Sequence, residues 1–129
     1  MAFRFLIVDD SPAMRAVVQR VLTMTGVPIA GCWEAGNGQE ALDLLDRQAV
    51  DMILTDINMP HMDGEQFVAR LQAAEGLRDI PVLVVSSAQT ELRAQRMMAL
   101  GARGFVKKPF LPETLREQLL PLLGVSHAA

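Results

Sequence analysis

The sequence predicts a single α/β domain: a doubly wound, five-stranded parallel sheet of strand order 2-1-3-4-5, with helices on both faces. Three observations predict it. Five short apolar runs alternate with five helical patterns along the chain. The runs are continuous rather than alternating, as in strands buried on both faces of a parallel sheet. Strict β-α alternation with right-handed crossovers gives an open sheet, for which the common five-stranded order is 2-1-3-4-5. A length of 129 residues suits one domain.

The elements follow in order. The first strand, Phe5–Val8, runs into Asp9-Asp10. Ser11 is the expected cap of helix one, with Pro12 in its first turn. Met14, Val17, Val18, Val21 and Leu22 then recur at helical spacing and mark one face. The second strand is Ile29–Trp33. The turn signal "GNG" follows, and Ala41, Leu42, Leu44 and Leu45 mark helix two. The third strand is Met52–Thr55. Asp63-Gly64 opens helix three, marked by Phe67, Val68 and Leu71. The fourth strand is Val82–Val85. Helix four carries Leu92, Met97, Met98 and Leu100 and ends at Gly101. The fifth strand is Gly104–Val106. Leu115, Leu119, Leu120, Leu122 and Leu123 mark helix five, whose end Pro121 leaves open. Residues 1–124 form the domain, and residues 125–129 read as a tail or the start of a linker.

Composition narrows the function. Half of the residues are hydrophobic, enough for a sizeable core, and the net charge of −3 argues against a nucleic-acid surface. The single cysteine, Cys32, allows neither an internal disulfide nor a paired-cysteine metal site, and reads as a buried strand residue. A reducing, cytoplasmic setting fits. The opening MAFRFLIVDD meets acid too soon for a signal peptide or a membrane span.

In an open sheet of this kind ligands bind outside the carboxyl ends of the strands, at the switch point. Strand one ends in Asp9-Asp10, strand three in Asp56, strand four in Ser86-Ser87 and strand five in Lys107-Lys108-Pro109. The predicted order brings these together. Two carboxylates about 5 Å apart repel by roughly 3 kcal/mol at an effective dielectric of about 20, and three such pairs cost on the order of 10 kcal/mol. One lysine offsets part of that. A divalent cation offsets more, and oxygen-only ligands point to Mg²⁺ rather than zinc. A cation-bound carboxylate cluster beside a lysine is a receptor for a phosphoryl group. Taken singly, each of these acids also fits an ordinary cap or loop position.

The stretches FLIVDDSPAMR, DMILTDINMPHMDG, PVLVVSSA and GARGFVKKPF stand in this order at four strand ends. With them the sequence, over about Phe3 to Leu123, resembles the receiver domain of bacterial response regulators, especially the small chemotaxis (CheY-like) type, which has this flavodoxin-like strand order. The resemblance implies the following roles. Asp56 is the phosphoacceptor. Asp10 is a direct Mg²⁺ ligand, Asp9 acts nearby through water, and the Asn58 main-chain carbonyl is another ligand. Lys108 pairs with phosphoryl oxygens, and the Lys108-Pro109 bond is cis. Ser86 is the switching hydroxyl, and Phe105 the aromatic that fills the space vacated when Ser86 moves. The phosphoryl donor is a sensor histidine kinase. A downstream protein target binds the face formed by helix four, strand five and helix five. The domain is a monomer or weak dimer, binds no nucleic acid and does not enter a membrane. It turns over no substrate beyond its own phosphorylation and dephosphorylation.

The gate position often carries Tyr in chemotaxis members. Phe105 can pack inward but cannot donate a hydrogen bond to a target. His61 reads as an exposed loop residue and His127 as part of the tail. At least one of Met97 and Met98 packs onto the sheet. Arg93 and Arg96 read as a solvated face, on the side where partners of such domains dock.

Two enzyme or carrier readings compete, and so does a receiver excised from a longer regulator with an output domain. A Mg²⁺-dependent aspartyl-phosphate phosphatase places its nucleophile at the end of strand one and a second Asp two residues on, where this chain has Ser11. A flavin carrier of the same topology needs a Ser/Thr/Gly-rich phosphate loop, where this chain has the acids of DDSPAM.

Overall fold

The computed structural model describes residues 1–124, apart from the side chain of Ala88. The expected tail, Val125–Ala129, lies outside the described residues and so does His127. The chain runs β1 (Phe3–Val8), α1 (Pro12–Met24), β2 (Ile29–Ala35), α2 (Gly38–Leu45), β3 (Met52–Thr55), α3 (Gly64–Ala73), β4 (Val82–Ser86), a short 3₁₀ turn (Ala88–Thr90), α4 (Glu91–Leu100), β5 (Gly104–Lys107) and α5 (Pro112–Leu122). The sheet is parallel in the order β2-β1-β3-β4-β5, as the sequence predicts.

Alternate residues of the strands feed two cores. Leu6, Val8 and Ile53 face α2, α3 and α4, where Ala41, Phe67, Leu71, Ala94 and Met97 pack. Phe5, Ile7, Met52 and Leu54 face α1 and α5, meeting Val18, Leu22, Leu115 and Leu119. All four residues of β3 are buried, so this central strand has no polar face to show in the sequence.

Local chemistry starts the helices. Ser11 Oγ accepts the Met14 N–H at 3.1 Å and Pro12 follows, so α1 begins where its cap and its proline put it. Asn37 Oδ1 caps α2 through the Glu40 N–H at 2.9 Å. Asp63 and Gln66 exchange side-chain and main-chain bonds as a capping box at the start of α3. Gly101 ends α4 with φ +129°, a conformation that side chains disfavour. Pro121 falls in the last turn of α5, and the helix ends one residue beyond it.

Several expectations need correction. The third strand has the expected bounds, but the other four run one to two residues further than the apolar runs alone, because polar or half-exposed residues such as Arg4, Glu34 and Lys107 still pair in the sheet. Val17 is exposed, and Met14 and Val21 are half-buried, so α1 buries a narrower stripe, Val18 and Leu22. On α4 the buried residues are Ala94 and Met97, while Leu92 and Leu100 are exposed. Cys32 is half-buried rather than buried, since β2 is an edge strand. Partial burial, aided by Glu34, pushes its thiol up to about 11, so it stays protonated at neutral pH.

Candidate functional site

The register places the strand ends level. Val8 is opposite both Ala35 and Thr55, Thr55 is opposite Val84, and Ser86 is opposite Lys107. Residues just past these positions therefore share one edge. Main-chain bonds continue the sheet into the loops: Asp9 N–H donates to Ala35 O at 3.0 Å, Asp56 N–H to Val8 O at 2.8 Å, and Lys108 N–H to Ser86 O at 2.7 Å.

Carboxylate oxygens of Asp9, Asp10 and Asp56 all lie within 4.8 Å of one another. Asp9 is buried, Asp56 half-buried and Asp10 exposed, so the cluster opens to solvent on one side. Asp9 Oδ1 accepts the Ser11 N–H at 2.9 Å, and Asp56 Oδ1 accepts the Ile57 N–H at 2.8 Å. Lys108 Nζ stands 3.8 Å from Asp9 Oδ2 and 3.7 Å from Asp56 Oδ1. Burial raises the Asp9 carboxyl above its ordinary range. The bond from Ser11 opposes that shift, the neighbouring Asp56 adds to it, and Lys108 counters Asp56. Three carboxylates meet here and Lys108 stands beside only two of them, so negative charge is left over for a cation to offset. The donor set is all oxygen and acidic, and it suits a hard divalent cation such as Mg²⁺.

Ser86 is fully buried at the end of β4, and its Oγ has no hydrogen-bond partner among the described residues. Such an orphaned hydroxyl is uncommon and asks for an explanation. Ser87 next to it is satisfied: its N–H donates to Thr90 Oγ1 at 2.9 Å, and the two hydroxyls lie 3.2 Å apart. Phe105 on β5 is half-buried against the α2–α3–α4 core. The Lys108-Pro109 bond is cis. Asn58, two residues past Asp56, is exposed.

Gly64 explains the "DG" that opens α3. A Cβ there would lie 2.5 Å from Asp56 O and 3.0 Å from Ile57 Cα, so only glycine lets α3 approach the loop after β3 this closely.

A family model described as the response regulator receiver domain matches residues 5–120. The chain belongs to the response regulator receiver domain family. Over 122 residues this receiver is 34% identical to a chemotaxis protein CheY homolog of Campylobacter jejuni, covering 94% of this chain and 92% of that one. The solved chemotaxis response regulator CheY4 of Vibrio cholerae is 32% identical, with a TM-score of 0.80 over 95% of this chain and 99% of that chain. The receiver domain of a sensor histidine kinase of Pseudomonas aeruginosa superposes with a TM-score of 0.82 over 96% and 99% of the two chains. It is 23% identical, which shows the shared fold, and its structure has a magnesium ion coordinated in the active-site cleft. This chain is thus a receiver of two-component signalling, similar to the chemotaxis type.

Two residues at the receiver's edge escape a reading of the sequence. Arg15 on α1 donates to the Asp9 main-chain carbonyl and pairs with Glu34 at 2.9 Å, so it braces the acidic loop. Arg93 on α4 is not the solvated residue expected. It donates to Asn58 Oδ1, to Glu65 Oε1 at 2.6 Å and to Asp63 Oδ2 at 3.4 Å. No local pattern reveals either: Arg15 meets Asp9 six positions back, but its ion-pair partner Glu34 lies 19 positions away, and the partners of Arg93 lie 28 to 35 away.

Proposed function

We propose that Asp56 accepts a phosphoryl group from the phosphohistidine of a sensor histidine kinase, and that acceptance switches a protein-binding surface. The observation that carries this is the meeting of Asp9, Asp10 and Asp56 within 4.8 Å, with Lys108 beside two of them. Asp10, Asp56 and the Asn58 main-chain carbonyl would hold Mg²⁺, with Asp9 acting alongside. A cation there supplies charge compensation between the carboxylates and the phosphoryl oxygens.

The chain's own groups do the rest. An Asp56 oxygen attacks phosphorus in line with the leaving imidazole nitrogen; the P–O bond forms as the P–N bond breaks, and the imidazole takes up a proton. There is little covalent work for the protein, so positioning and electrostatics dominate. The Ile57 N–H and the Lys108 ammonium orient the acceptor. Lys108 then donates to the phosphoryl oxygens. The Ser86 hydroxyl, buried and without a partner among the described residues, donates to another and gains a bond. Its movement carries the turn before α4, and Phe105 packs into the space left. The population of the active surface rises, in the two-state sense.

The face of α4, β5 and α5 would receive the downstream target. Net charge speaks against nucleic acid, and no helix of the described residues is long and apolar enough to cross a membrane. We place the domain at residues 1–124, in the cytoplasm, as a monomer or weak dimer. It stands alone or as the receiver of a longer regulator, with no turnover beyond its own phosphorylation and dephosphorylation. The phosphatase reading is weaker: the position two past Asp9 is Ser11, whose hydroxyl already caps α1. The flavin reading is weaker because Asp9 and Asp10 would repel a phosphate after β1.

Acetyl phosphate tests the proposal without a kinase. With Mg²⁺ the protein should gain one phosphoryl group, read by intact mass, and a chelator should abolish the gain. No gain under conditions that label a known receiver would overturn it.

A further inference from the structure

Beside an exposed Lys107–Glu91 ion pair at 3.3 Å, two physical links among the described residues join the loops of the acidic edge to α4. One runs along the main chain, from Ser86 through the Ser87–Thr90 turn into Glu91. The other is Arg93, in the first turn of α4. Its guanidinium reaches across to the loop after β3 and to the start of α3, where it meets three acceptors: Asn58 Oδ1, Asp63 Oδ2 and Glu65 Oε1.

Three features make this more than a surface ion pair. First, all three donor nitrogens, Nε, Nη1 and Nη2, are used, each on a different residue. A planar fork fixed on three sides holds its own helix as well as its partners. Second, Asp63 is shared: one oxygen caps α3 through the Gln66 N–H and the other faces Arg93, so the arginine is tied to a helix start that cannot drift freely. Third, Asn58 is bonded by sequence to the acceptor loop. Asp56 Oδ1 holds the Ile57 N–H at 2.8 Å, and Asn58 is the next residue. A charge that draws the Asp56 carboxylate away would weaken that bond and shift Ile57 and Asn58 together, and the Asn58 side chain would pass the shift to Arg93.

We propose that Arg93 is a positioning residue that couples occupancy of the acidic edge to the first turn of α4 through Asn58, in parallel with Ser86. The proposal rests on the reading of Asp9, Asp10 and Asp56 as a cation site. It requires no phosphorylation: cation binding alone acts on the Asp56 carboxylate, and the Arg93 link should carry that event to α4. Arg96 provides the internal control. It lies on the same helix and approaches Glu65 at 3.6 Å, with no bond to Asn58.

The experiment is a Mg²⁺ titration of the full chain followed by amide ¹H–¹⁵N shifts. In the unaltered protein, shifts should appear near residues 9–11 and 56–58 and also at residues 91–94. Arg93→Gln should keep the first set and lose the second. Asn58→Ala, which retains the main-chain carbonyl but not the side-chain acceptor, should lose the second set too. Arg96→Gln removes the same charge from the same helix and should keep both. Helix-four shifts of full size in Arg93→Gln or in Asn58→Ala would overturn the coupling. Their loss in Arg96→Gln would reduce it to a general charge effect and overturn it also. Local shifts without any at residues 91–94 in the unaltered chain would overturn this inference alone. No shifts around Asp9 and Asp56 at all would overturn the cation site and the coupling with it.

Discussion

The Lys108 ammonium stands 3.7 Å from an Asp56 carboxylate oxygen, across the gap between the ends of β3 and β5. That spacing leaves the ammonium near enough to steer a phosphoryl group and too far to be locked onto the carboxylate. Lys108→Met should therefore slow acceptance on Asp56 by roughly ten- to a hundredfold, the worth of a charge-assisted bond of about 1.5–3 kcal/mol. Cation binding should not weaken, because a competing positive charge is gone. Acetyl-phosphate labelling rates and Mg²⁺ affinity, measured on the same variant, check the two halves.

Asp9 gives a pH dependence. Its carboxyl is raised in the folded state, chiefly by burial and further by Asp56. A folded group with a raised pKa binds its proton more tightly than the unfolded chain does. Its stabilising contribution is full below the ordinary value of 3.8 and is lost as pH rises through the raised folded value. In chelator, Asp9→Asn should remove that loss and stabilise the fold at neutral pH, since a buried charge, and with it the repulsion from Asp56, is removed. Urea melts across pH 4 to 7.5 read it. A variant less stable than the parent at neutral pH would contradict this account of the cluster.

Gly64 carries a structural prediction. A methyl group there must displace Asp56 O or Ile57 Cα, both main-chain atoms. Gly64→Ala should destabilise by about 1–3 kcal/mol, as overpacking does. It should also slow labelling of Asp56, because the loop that shifts is the one that carries it. A urea midpoint within error of the parent would show that the loop yields freely.

Much of this arrangement was legible in the sequence, for identifiable reasons. The central strands β3 and β4 are buried throughout, so "MILT" and "VLVV" read as strands without a structure. Ser11 and Asp63 are cap residues whose bonds close within three positions, so they too are visible locally. The edge strand β2 is less visible, because Glu34 extends it while facing solvent and Arg15. Leu92 and Leu100 mislead, because apolar residues on an exposed helix face mimic a core stripe. Arg93 is invisible for another reason: its partners Glu65 and Asn58 lie 28 and 35 positions away, and only the fold brings them near.

Ser86 and Ser87 should separate cleanly. Ser86 Oγ is buried and lacks a partner among the described residues, whereas Ser87 is engaged with Thr90. Ser86→Ala should still accept phosphate on Asp56, yet phosphorylation-dependent NMR shifts across residues 90–100 and at Phe105 should shrink. A bond worth about 1.5–3 kcal/mol shifts a two-state equilibrium by roughly ten- to a hundredfold. Ser87→Ala should change them much less. Full-size distal shifts in Ser86→Ala would remove Ser86 from the switch.

The most direct measurement is where the phosphoryl group goes. The protein is labelled with acetyl phosphate and Mg²⁺, the acyl phosphate is trapped by borohydride reduction, and the peptides are mapped by mass spectrometry alongside Asp56→Asn. The account predicts a single modified residue, Asp56, and no label in the variant. Label on Asp9 or Asp10, or label that persists in Asp56→Asn at the same rate and stoichiometry, would contradict it.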